Sequence, residues 1–214
     1  MSTGDWLERR LDEPEQRTSK CVILVPGSSG NALSDHRYAF MSEKLRERGM
    51  SMLSLEIWNE QNLNSLTLHY VFNVLDEQIQ YLKSLGYDRI GIIGKSLGGA
   101  LVLLYENPAI SAKVLLAPAM TIERGKTAKD FLDLSFSQIH HIKADPSMVK
   151  PDCDILIIHG TDDRNISVDN SRRMIKLMRN AVLDEIEGTN HSFNEEWALA
   201  EVTQKTVDFF DKEL

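Results

Sequence analysis

The sequence predicts an α/β fold: a mostly parallel, twisted sheet of about six or seven strands with helices on both faces. Three observations predict it. Short apolar runs of strand length alternate with amphipathic stretches of helix length along the chain. Runs such as Cys21-Val22-Ile23-Leu24-Val25 and Ile155-Leu156-Ile157-Ile158 are apolar at consecutive positions, as a strand covered on both faces must be. Third, Gly94-Lys95-Ser96-Leu97-Gly98 stands between the apolar run Arg89-Ile90-Gly91-Ile92-Ile93 and the helix-like stretch Gly99-Ala100-Leu101-Val102-Leu103-Leu104, so that strand, sharp turn and buried helix follow one another. With 214 residues and no repeat or low-complexity linker, the chain fits one domain, residues 1–214, with a sizeable core.

Taken in order, Trp6 to Leu11 reads as an edge strand and Cys21 to Val25 as the first central one. A helix is expected at about 36 to 48, a strand at Ser51 to Leu55, and a helix at 66 to 85, where Val71, Leu75, Ile79 and Leu82 share one face. The strand and helix around Ser96 follow, then a strand at Lys113 to Ala117. Residues 121 to 150 hold one or two helices at most, with Phe131, Leu132, Leu134, Phe136 and Ile139 spaced to bury a face. That face reads as the ordinary covering helix of a doubly wound fold, with a pocket wall as the alternative, so little or no cap is expected. The strand Asp154 to Ile158, a helix at 168 to 179, the run Ala181-Val182-Leu183 and a helix at 194 to 212 complete the chain.

A net charge of -8 and a pI near 5.3, with no basic patch, argue against a nucleic-acid surface, which draws most of its affinity from clustered Lys and Arg. No apolar stretch is long enough to cross a bilayer, and Met1-Ser2-Thr3-Gly4-Asp5 lacks the charged-then-apolar build of a signal peptide, so a cytoplasmic location is expected. Cys21 and Cys153 each open a core strand and read as buried, inert thiols rather than a disulfide framework.

The candidate chemistry centres on G-x-S-x-G at residues 94–98. Small residues two before and two after the serine let the chain reverse without collision and thrust the hydroxyl out of the sheet. A serine hydroxyl is a poor nucleophile at neutral pH and needs a base, which in turn needs a group to hold its tautomer. Two loops after predicted strands supply them: His159-Gly160-Thr161-Asp162-Asp163 carries acids, and Glu187-Gly188-Thr189-Asn190-His191 carries an imidazole. His159 itself, ending a buried strand, reads as a hydrogen-bonded structural residue. His140 and His141 do not make a metal site, since adjacent helical residues diverge and no Cys or carboxylate completes a ligand set; they read as a solvated face. Gly94-Lys95-Ser96 is not the end of a P-loop either, because the required first Gly is Arg89. Lys95 is then expected to point across the surface.

On these residues the chain resembles the α/β-hydrolase superfamily along nearly its whole length. That family orders its triad as Ser, acid, His, each after a separate strand, and here the order is Ser96, Asp163, His191. The acid loop resembles the family's H-G-x-x-D, which places the acid at Asp163, with Asp162 as the alternative. The resemblance further implies an oxyanion hole from the backbone amides of Leu97, directly after the nucleophile, and of Ser28, in the loop Pro26-Gly27-Ser28-Ser29-Gly30-Asn31. Pro26 stands where such hydrolases often carry His, which removes a usual support of that loop. The likeness is greatest to small, nearly capless members, dienelactone-hydrolase-like and carboxylesterase-like, although dienelactone hydrolases use Cys where this chain has Ser96. It implies hydrolysis of a short or medium carboxylic ester through an acyl-enzyme, without cofactor or metal. Thioester or peptide cleavage by the same residues is the alternative, and a non-catalytic binding module on the fold is another. The expected partner is a small ester or thioester; the chain is expected as monomer or homodimer, with Ile57 and Trp58 at an interface or in the pocket.

Overall fold

A computed structural model describes residues 8–59, 62–122, 142–145 and 152–214. Seven strands form one sheet: β1 (Glu8–Asp12), β2 (Lys20–Val25), β3 (Ser51–Glu56), β4 (Arg89–Lys95), β5 (Ile110–Leu116), β8 (Asp154–Gly160) and β9 (Ala181–Ile186). Their spatial order is β1-β3-β2-β4-β5-β8-β9, and every neighbouring pair is parallel except β1 with β3. The expected edge strand is therefore present at Glu8–Asp12; Trp6 and Leu7 lie outside the described residues.

The alternation of side chains along each strand feeds two cores. Cys21, Ile23, Val25, Leu53, Leu55, Ile90 and Ile92 point to one face, where α2 (Leu68–Ser84), α3 (Leu97–Leu104) and α4 (Val168–Met174) cover them. Val22, Leu24, Met52, Ile93, Val114 and Ile158 point to the other, beneath α1 (His36–Glu47) and α5 (Glu196–Glu213). Because both faces are covered, the central strands are apolar throughout, which is what made them legible as runs. Gly91 in the middle of β4 has a packing reason: a Cβ there would lie 2.4 Å from the Phe210 ring of α5.

The connections hold one stretch that lies mostly outside the described residues and one departure from expectation. Within 121 to 150 the described residues form strands, β6 (Met120–Ile122) paired in parallel with β7 (Ile142–Ala144); the helices expected there, with Phe131 to Ile139 and His140 and His141, fall outside the described residues. The helix expected at 168 to 179 ends at Met174, after which the chain tightens into i to i+3 turns, Leu177 N–H to Met174 O at 2.9 Å and Met178 N–H to Ile175 O at 3.4 Å. Both cysteines are free; Cys21 is fully buried and burial pushes its thiol up to about 12, whereas Cys153 is only partly buried. Among the described residues no helix is long and apolar enough to cross a membrane, and no three His, Cys, Asp or Glu side chains gather as a metal site requires.

The parallel order places the C-terminal ends of β2, β4, β8 and the loop after β9 along one edge. Ligands of open α/β sheets bind at this edge.

Candidate active site

Ser96 follows β4 and is the N-cap of α3, in a backbone conformation (φ 51°, ψ -112°) that L-residues seldom adopt. The flanking chain is what holds it there. Ser96 N–H donates to Leu116 O at 2.8 Å, Ser96 O accepts from Ala119 N–H at 2.8 Å and from Ala100 N–H at 3.1 Å, and the two glycines of the turn leave room for nothing larger. A Cβ on Gly94 would stand 2.4 Å from Gly98 O, and one on Gly98 would stand 2.3 Å from Pro26 O.

The turn delivers the Ser96 hydroxyl to an imidazole. Ser96 Oγ lies 3.0 Å from His191 Nε2, and His191 Nδ1 lies 2.6 Å from Asp163 Oδ2. With a carboxylate on Nδ1, that nitrogen carries the proton and Nε2 is left to accept from the serine. Asp163 is buried and fully bonded: Oδ1 accepts from the amides of Asn165 (2.8 Å) and Ile166 (2.9 Å), and Oδ2 accepts from both His191 and His159, the latter at 3.1 Å. Burial alone would raise this carboxyl, but the hydrogen bonds from His159, His191 and Ile166 outweigh it and hold the group far below the ordinary carboxylate range. Asp162, by contrast, is exposed.

His159 is hydrogen-bonded and fully buried, as expected of a structural residue, yet it also touches the acid. Its Nε2 meets two acceptors, Asp163 Oδ2 and Ile166 O (2.9 Å), so that nitrogen is the donor, and Nδ1 accepts from Ser171 Oγ at 2.7 Å. His159, near the end of β8, thus fixes the carboxylate that His191 also holds, four residues further along the chain. Nothing in the chain's periodicity announces that contact.

The loop after β2 comes close to the serine: a Cβ on Gly27 would lie 3.5 Å from the Ser96 Cβ. Ser28, next in that loop, is exposed, and Leu97 opens α3, where helix geometry leaves the first amides without intrahelical partners. The support missing at Pro26 comes from elsewhere. Trp58 donates its indole N–H to Gly27 O at 2.8 Å, and the chain after β3 packs so closely that a Cβ on Gly30 would meet Trp58 O at 2.4 Å. Ile57 and Trp58 are therefore core residues, 0% and 1% exposed, and not an interface. Trp58→Phe is expected to keep the ring's packing and remove one of the hydrogen bonds to Gly27 O, which still accepts from Gly30 N–H at 3.0 Å, and so to lower stability by about 1 kcal/mol, read by urea unfolding.

The His191 loop is stitched down by polar contacts. Asn190 Oδ1 accepts from Ser192 N–H at 2.8 Å, Asn190 Nδ2 donates to Glu195 at 3.0 Å, and Phe193 is buried in a left-handed conformation, φ 52°. Lys95 is not on the surface as expected. As the last residue of β4 it alternates onto the face of Ile93, is buried (8% exposed), and donates to His191 O at 2.7 Å.

The uncharacterised protein family UPF0227 matches residues 56–211, a span that holds Ser96, Asp163 and His191. The chain belongs to this family. No curated protein matches the sequence of this UPF0227 member. Among solved structures, it is similar to ferulic-acid-bound Est1E from Butyrivibrio proteoclasticus (TM-score 0.77, 21% identity, 97% of this chain and 95% of that one). It is also similar to a dienelactone hydrolase from Anabaena variabilis (TM-score 0.75, 20% identity, 100% and 95%) and to a monoacylglycerol lipase from Paleococcus ferrophilus (TM-score 0.73, 17% identity, 97% and 99%). The UPF0227 chain has the α/β-hydrolase fold.

Proposed function

We propose that the protein is a serine hydrolase that cleaves carboxylic esters of short or medium acyl chain through an acyl-enzyme on Ser96. The observation that carries this reading is the unbroken path Ser96 Oγ, His191 Nε2, His191 Nδ1, Asp163 Oδ2, with links of 3.0 and 2.6 Å, set on a serine in a rare backbone conformation. His191 takes the hydroxyl proton as Ser96 Oγ attacks the carbonyl carbon. Asp163, ionised at neutral pH, offsets the imidazolium. The amides of Leu97 and Ser28 receive the oxygen as it becomes anionic. His191 then returns the proton to the leaving alkoxide, and water, activated by the same imidazole, frees the acyl group.

The esterase, lipase and dienelactone hydrolase of like fold support ester chemistry, although likeness of fold alone does not carry activity. A single domain and a cytoplasmic setting complete the reading, the latter supported by two free thiols. The test is covalent labelling with a fluorophosphonate, read by intact mass and peptide mapping. One adduct on Ser96 is expected; folded protein that takes up no label sinks the mechanism and leaves a binding module. A panel of chromogenic esters of rising chain length then reads the acyl side.

A further inference from the structure

Lys95 is the residue that the proposed mechanism does not use. Its Nζ donates to His191 O at 2.7 Å and lies 3.4 Å from His191 Nε2, the same nitrogen that Ser96 Oγ approaches at 3.0 Å. It also sits 5.3 Å from the centre of the Phe193 ring. Its partner in this arrangement is Arg37 of α1, which donates to the next carbonyl, Ser192 O, at 2.6 Å and to Asn194 Oδ1 at 3.1 Å. Two basic side chains therefore hold successive carbonyls of the loop that carries His191. They are not equivalent. Arg37 is neutralised by Asp35, whereas among the described residues no carboxylate lies within ion-pair distance of Lys95.

We propose that Lys95 is a positioning residue for His191 whose charge sets the pH at which the site works: as the amine it holds the loop and lets the imidazole take the Ser96 proton, and as the ammonium it opposes turnover. The inference rests on the hydrolase reading above. The physical reason is proximity. Attack by Ser96 makes His191 cationic, and a second positive charge 3.4 Å from Nε2, on a side chain that is itself buried, repels the imidazolium just when it forms. The ammonium also competes with the serine hydroxyl for the Nε2 lone pair.

The groups that face Lys95 come from three elements. Arg37 and Tyr38 approach from α1, Asp163 from the loop after β8 with His159 behind it, and His191 from the loop after β9; Leu199 and Val202 of α5 bring no charge. Burial is the largest influence on the amine and Arg37 adds to it, while Asp163 opposes them. Together they bring Lys95 down to about 7. The amine is thus the working form above neutrality, and activity is lost as pH falls through that region.

The experiment is the rate of fluorophosphonate labelling of Ser96 from pH 5.5 to 9 in the wild type, Lys95→Met and Lys95→Gln, which needs no knowledge of the physiological ester. The wild type is expected to label about tenfold slower at pH 6 than on its alkaline plateau, and the variants only about twofold slower, their acid limb having moved down by about one pH unit. A merely structural lysine would change the height of the plateau and leave its midpoint in place. Labelling with coincident midpoints in all three proteins overturns this proposal and leaves the hydrolase reading standing, whereas no labelling of wild type at any pH overturns both. Where neither variant folds, the wild type decides. The 13Cε resonance of Lys95, assigned from the backbone, is expected to titrate near neutrality, and a signal that stays protonated from pH 6 to 9 overturns the proposal.

Discussion

Ser96→Ala is expected to lower ester hydrolysis by about 10⁶-fold, Asp163→Asn by about 10⁴-fold, and Asp162→Asn by no more than about twofold. The ordering follows from the contacts. Without Oγ no acyl-enzyme forms, and what survives is the small acceleration from substrate binding and the oxyanion donors. Asparagine at 163 presents an amide to His191 Nδ1, which favours the tautomer with its proton on Nε2, the wrong nitrogen for accepting from Ser96. It also disturbs His159, since both imidazoles donate to Asp163 Oδ2. Asp162 is exposed, and no side-chain contact ties it to either histidine in the described loop. Initial rates on a chromogenic ester, with circular dichroism to confirm folding, measure the series. Comparable losses at 162 and 163 would mean that the loop acts as a whole and that Asp163 is not the acid.

Gly98→Ala carries the largest expected cost in stability, about 3 kcal/mol or more, read as a fall in the urea midpoint or as failure to accumulate folded protein. One added methyl would stand 2.3 Å from Pro26 O and 2.5 Å from Val25 O, backbone atoms of the last residue of β2 and of the residue that follows it. A flexible side chain could yield; β2 cannot without breaking its pairing with β3 and β4. Any accommodation also drives Gly27 and Ser28 away from Ser96, so activity is expected to fall further than the unfolded fraction explains. Gly99→Ala, whose nearest approach is 3.0 Å to Gly94 O, is expected to cost less.

These two sets of residues also mark what the sequence made legible. The glycines of the turn stand out because the geometry around Ser96 admits nothing else, and the central strands because a doubly covered strand must be apolar throughout. The short pair β6 and β7 has three residues a strand, too few for any period to register. Lys95 was expected at the surface because the G-x-S-x-G pattern leaves its position open and lysine is seldom buried; only the fold brings His191 O over β4. The support of Gly27 by Trp58 spans 31 residues, and no spacing rule connects them. What chain pattern conveys is periodicity and turn chemistry. Contacts between loops depend on the register of strands that it does not specify.

The 95 residues that separate Ser96 from His191 have a consequence for the order in which the protein becomes itself. β2, β3 and β4 with their helices can pair as soon as they are made, but the imidazole is not in reach until β5, β8 and β9 have added in parallel across one side of the sheet. Closing loops of that length is the slow part of assembly for such a topology. Helical signal and collapse therefore precede competence, and an intermediate lacking only the last strand would be nearly native in content yet chemically silent. On the mechanism proposed above, fluorophosphonate labelling of the hydroxyl at residue 96 would then report the final step of folding rather than the collapse that precedes it.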